Sequence, residues 1–178
     1  MLLGAFFRSM FKSPRRSRMA TLEAGVMAPD FTLPTMTGET FSLSEALKNG
    51  PVLLAFFKIS CPVCQFAMPY VERIFQGAQG RAVTVIAVSQ DDPRATMAFL
   101  KEHRITMPVA LDDTKAYPAS NAYGLTTVPT FFLVNPDGEI GIASVGWVRE
   151  EQEQFYRALT AGGEYFQANE RIPELKYG

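Results

Sequence analysis

Two thiols stand two residues apart in Cys61-Pro62-Val63-Cys64, and the chain of 178 residues holds no other cysteine. At that spacing, at the start of a helix, two sulfurs can close into one disulfide and open again. The bridge would enclose so small a loop that it removes little entropy from the unfolded chain, so it is a poor structural staple. The chemistry it suits is dithiol–disulfide exchange. A free thiol with a pKa near 8.5 is only about 3% ionised at neutral pH, and a helix N-terminus favours the anionic form. The first cysteine of such a pair faces the unpaired N–H groups and solvent, while the second lies further in. Cys61 is therefore expected to be the attacking thiolate and Cys64 the resolving thiol that releases the partner. Pro62 suits the first helical turn, where its missing donor has no partner anyway. Val63 offers neither charge nor hydrogen bond and acts through packing. Lys58, three residues before Cys61, could add a positive field, although an exposed lysine is screened over a Debye length.

The elements that must hold this pair are readable around it. Val52–Phe57 is a continuous apolar run of strand length, as expected for a central strand buried on both faces. A helix should follow to about Gln76, with Met68, Val71, Ile74 and Phe75 on one face and a kink at Pro69. Residues 81–89 read as a second strand. A helix runs from Pro93 to about His103, then comes a strand over 108–112 and a short helix over 118–123 ending at Gly124. Thr130–Val134 is a fourth strand, turned at Asn135-Pro136-Asp137-Gly138 into a hairpin partner over 139–145. A last helix spans about 150–161, with Glu150, Glu151 and Glu153 as a solvated acidic start. Before the apolar run, residues 28–34 read as extended chain, 40–43 as a short strand, and Ser42 with Glu45 as a capping box. The alternation predicts an α/β domain with a mixed central sheet flanked by helices.

Hydrophobic residues make up 47% and charged residues 20% of the chain, with 14 Phe to fill a core. A formal net charge of −1 gives no basic field for nucleic acid. Residues 1–24 are expected to be a disordered basic arm carrying Arg8, Lys12, Arg15, Arg16 and Arg18. The other readings of this segment are a weak membrane-surface anchor and a true start at Met19. Its apolar run is too short for a secretory signal, and no run is long enough to span a membrane. The domain is expected over residues 25–162, followed by a loose tail over 163–178.

Strand, Cys61-Pro62-Val63-Cys64, kinked helix and the later Thr127-Val128-Pro129-Thr130 resemble the thioredoxin-like fold. The prelude Ala28-Pro29-Asp30-Phe31-Thr32-Leu33 and the turn Asn135-Pro136-Asp137-Gly138-Glu139-Ile140 resemble, more narrowly, TlpA-type thiol–disulfide oxidoreductases and their redoxin relatives related to AhpC-TSA. The resemblance covers about residues 25–162. It implies that fold with an N-terminal hairpin extension and a central insertion. It also implies a cis peptide bond at Pro129, with the backbone of Val128 pairing an extended substrate beside Cys61, Pro62 and Val63. No cofactor or metal is expected. The partners would be protein thiols or disulfides and an upstream reductant or oxidant, with roles in redox homeostasis and antioxidant activity. The expected state is a monomer, and the expected place is the cytoplasm, with export or membrane association as the alternative. Where the family often carries acids near the pair, this chain has Ala55 and Ala67, leaving water or Lys58 to take the proton of Cys64.

Two rival functions share some of these features. A peroxiredoxin-type peroxidase needs a threonine three residues before its reactive cysteine and an arginine near the later strand. Here those places hold Lys58 and Val128-Pro129. A metal carrier needs more ligands than one cysteine pair and His103 supply.

Overall fold

The computed structural model describes residues 20–178; the five basic side chains named in the first 18 residues, and the readings attached to them, lie outside that range. The sheet is built around the apolar run. Strand β3 (Val52–Phe57) has all six side chains buried. It pairs in parallel with β4 (Thr84–Ser89) and antiparallel with β6 (Thr130–Val134). Strand β5 (Val109–Leu111) adds in parallel outside β4, and β7 (Ile140–Val145) adds antiparallel outside β6. The order is β5-β4-β3-β6-β7.

Because side chains alternate along a strand, β3 feeds two cores. Leu53, Ala55 and Phe57 face α2 (Pro62–Gly77), α3 (Pro93–Glu102) and α5 (Arg149–Leu159). Val52, Leu54 and Phe56 face Leu43 of α1 (Leu43–Leu47) and Ala119 of α4 (Pro118–Ala122). Each Leu or Phe so enclosed contributes about 1.5–3 kcal/mol. The N-terminal hairpin is β1 (Thr32–Pro34) with β2 (Thr40–Ser42), docked on the sheet edge by the Met36 amide, which donates to the Val109 carbonyl at 2.9 Å. This is the mixed-sheet, thioredoxin-like arrangement that the sequence resemblance implies.

Local expectations hold closely near the site. Ser42 caps α1 by accepting the Glu45 amide. In α2, Met68, Val71 and Ile74 are fully buried, and Pro69 lies inside a helix that continues past it. His103 ends α3 with its ring against Phe99, a packing role. Strand β4 begins at Thr84, three residues later than the sequence pattern suggests.

Two terminal segments differ from expectation. Residues 20–24, read as part of an arm, are tied to the domain: the Leu22 amide donates to the Tyr123 carbonyl and the Thr21 hydroxyl to the Gly124 carbonyl. The segment 163–178, read as a loose tail, is packed along α2. Tyr165 is buried and its hydroxyl donates to the Tyr70 carbonyl. Arg73 makes a bidentate pair with Glu170. Trp147, fully buried, donates its indole N–H to the Pro173 carbonyl at 2.8 Å. Strand β9 (Leu175–Lys176) then pairs with β8 (Trp147–Val148). The physical reason is aromatic: Tyr165 and Phe166 meet Tyr70, Tyr156 and Trp147, which supplies burial without any helical or strand period.

Candidate functional site

The cysteine pair sits where β3 ends and α2 begins. Cys61 is the N-cap of α2, in extended conformation, and Pro62 is the first helical residue. The Cys61 amide donates to the Lys58 carbonyl at 3.2 Å, closing the turn that lifts the chain out of the sheet. The Cys64 amide donates to Cys61 Sγ at 3.3 Å. The sulfur thus occupies the position that a serine or aspartate oxygen takes in other helices, at the positive end of the helix. Cys61 is half-buried, Cys64 fully buried, and both are free thiols.

The two sulfurs differ by environment. Burial pushes the Cys64 thiol far above its ordinary range. A hydrogen bond from the Lys58 backbone works against that, while Cys61 and the Asp91 carboxylate add to it. Cys64 is therefore held as a neutral thiol in the main core.

Val128-Pro129 is the one cis peptide bond among the described residues, as the sequence resemblance implies. It brings the Val128 carbonyl to the site, where it accepts the Cys61 thiol hydrogen at 3.3 Å. The Pro129 carbonyl is fixed in turn by the Gly146 amide at 2.8 Å. Beside Cys61 opens a pocket of about 360 Å³, lined by Pro62, Gln90, Leu125 to Val128 and Gly178. Val63 is half-buried and packs against the core below.

The structure thus brings Cys61, Cys64, Pro62, Val128 and Pro129 together. Lys58 contributes its backbone, whereas its ammonium lies 6.0 Å from the centre of the Tyr117 ring. No cluster of three His, Cys, Asp or Glu side chains is arranged to hold a metal among the described residues.

Three contributors lay outside the sequence reading. Asp91 accepts the Ile59 amide at 2.7 Å and so steadies the turn before the pair. Gln90 lines the pocket and donates to Ser120, which donates to the buried Asp112. Gly146, at φ 76, lets the chain after β7 approach both the cis-proline loop and β9. The signals were present as Gln90-Asp91 directly after β4 and Gly146-Trp147 directly after β7, but neither names its partner.

Comparison with known proteins agrees with this geometry. Residues 24–142 match the model of the AhpC/TSA family. The thiol–disulfide oxidoreductase ResA of Halalkalibacterium halodurans is 30% identical over 158 residues, covering 88% of this chain and 86% of that protein. The thioredoxin domain of a thiol–disulfide oxidoreductase from Bacteroides vulgatus superposes with a TM-score of 0.69 at 20% identity, over 79% of this chain and 100% of that one. The peroxidoxin BcpB of Mycobacterium tuberculosis superposes with 0.65 at 19% identity, over 79% of this chain and 99% of its own. The fold is therefore shared by both chemistries, and the choice between them rests on the site.

Proposed function

The chain belongs to the AhpC/TSA family and is a thiol–disulfide oxidoreductase, and we propose that Cys61 is its nucleophile and Cys64 its resolving thiol. The observation that carries this assignment is the contrast between the two sulfurs: Cys61 is half-open and capped by the Cys64 amide, whereas Cys64 is wholly enclosed.

In the reducing direction, the Cys61 thiolate attacks one sulfur of a partner's disulfide. That S–S bond breaks, one partner sulfur leaves as thiolate, and the other stays linked to Cys61. Cys64 then gives up its proton, through water, to the partner thiolate just released, and attacks the Cys61 sulfur. The mixed bond breaks, the second partner sulfur leaves, and the partner has gained two electrons. A dithiol reductant returns the Cys61–Cys64 disulfide to the thiol form, and the same steps reversed oxidise a partner. No other redox group enters this sequence.

Protein disulfides are the proposed substrates, docked on the Val128-Pro129 edge. A peroxidase reading gains nothing from the pocket, which no arginine lines. The test is Cys64→Ser and Cys61→Ser in parallel. Cys64→Ser should accumulate mixed disulfides with partner proteins, identifiable by mass spectrometry, and Cys61→Ser should abolish exchange. Full disulfide reductase activity in Cys61→Ser would overturn the role assignment.

A further inference from the structure

Residues 174–178 run up to the active-site edge. Leu175 and Lys176 pair with Val148 and Trp147. The Glu174 carbonyl accepts the Arg149 amide at 2.9 Å, and Lys176 Nζ stands 4.8 Å from the Phe66 ring centre. A Cβ added to Gly146 would stand 2.6 Å from the Lys176 carbonyl oxygen. A Cβ added to Gly178 would collide with the Val128 carbonyl, the same oxygen that accepts the Cys61 thiol. The segment therefore touches the cis-proline loop beside Cys61 and the Gly146 turn that anchors that loop, and Gly178 forms one wall of the pocket beside Cys61.

We propose that residues 174–178 are a specificity-determining strap: they stand on the edge that an extended partner chain needs, and leave Cys61 open through the pocket to small disulfides. This rests on the exchange reading above. An extended peptide gains affinity by adding its backbone to a free edge, and here Gly178 stands against the Val128 carbonyl of that edge, held there by the pairing of β9 with β8. The strap is lightly held. Leu175 is 44% and Tyr177 80% exposed, and β9 is two residues long. A segment held this way opens at small cost, so a protein partner engages only the fraction of molecules in which the strap is lifted. A small disulfide entering the pocket does not depend on that fraction.

The experiment is a single-turnover measurement with the full chain, reduced beforehand and mixed with insulin or with hydroxyethyl disulfide, following conversion of the Cys61–Cys64 dithiol to the disulfide by acid quench, alkylation and intact mass of this chain. It compares the wild type with a form lacking residues 175–178 and with Gly178→Val, which keeps the whole segment but drives it off Val128. Removing the strap should raise the insulin rate by at least about two- to five-fold, the floor set by the exposed cation–π contact alone, and raise it clearly more than the hydroxyethyl disulfide rate, whose pocket loses only its Gly178 wall. Gly178→Val should move in the same direction. An insulin rate that stays level or falls, or equal gains with both substrates, overturns the strap. A wild type inert toward both disulfides sinks the exchange reading itself, a result distinct from either.

Discussion

The Asp91 carboxylate accepts the Ile59 amide hydrogen at 2.7 Å, across 32 residues of sequence, and so ties the end of β4 to the turn that presents Cys61. Asp91→Ala leaves that amide without its acceptor, at a cost of about 1–3 kcal/mol. Asp91→Asn keeps an oxygen in place and should lose less than half as much. Urea denaturation of the two variants measures the difference. Equal losses would mean that the charge, not the hydrogen bond, is what matters.

Burial keeps Cys64 protonated in the folded dithiol form. In the unfolded chain the same thiol ionises near pH 8.5. Above that pH the folded state binds more protons than the unfolded one, so stability falls as pH rises. The stabilising contribution is complete below about pH 8 and declines upward from there. The melting temperature of the reduced wild type should drop between about pH 8 and 10 more steeply than that of Cys64→Ala. Tyr70, Tyr123 and Tyr165 are shifted upward as well, mainly by burial, and give both proteins the same background slope. Parallel melting curves would show that the shift is not linked to folding.

Gln152 is fully buried, and neither its amide nitrogen nor its carbonyl oxygen has a hydrogen-bond partner. An apolar side chain of similar shape removes that desolvation penalty. Gln152→Met should stabilise the fold by about 1–2 kcal/mol, a rise in melting temperature of about 2–8 °C for a chain of this size. Calorimetry reads it directly, and a lower midpoint would point to an ordered water that satisfies the side chain.

Trp147 joins α2 to the C-terminal segment through Phe66, Tyr70 and Phe166. Trp147→Ala should cost about 3–5 kcal/mol and release the segment. Limited trypsin digestion should then cut after Arg171 sooner than in the wild type. Because Trp147 is the sole tryptophan, unfolding of the variant has to be followed by circular dichroism.

Legibility in the sequence follows the range of the interactions. The Val52–Phe57 run, the Ser42–Glu45 cap and the Pro62 helix start are local, and each lies within a few residues of where it was expected. The cis bond at Pro129 was legible through family resemblance, because nothing within the residues around it names Cys61 as its neighbour. The capping of Ile59 by Asp91, the Arg73–Glu170 pair and the strap are contacts between distant segments. Residues 163–178 show no periodicity because their order comes from aromatic rings meeting a surface that exists only once α2 and α5 have packed. A lone pattern of polar and aromatic residues cannot announce that.

Cys64 is both a redox atom and a member of the same core cluster as Leu53, Met68 and Phe131. Folding and electron transfer therefore form one thermodynamic cycle. Any change in packing that favours the dithiol over the disulfide form raises the reduction potential by the same free energy, about 30 mV for each 1.4 kcal/mol. Denaturant curves of the two forms would report the poise of the folded pair relative to that of the same pair in the unfolded chain. Substitutions at the Met68 end of the core would tune that poise from a distance, with no contact to any partner.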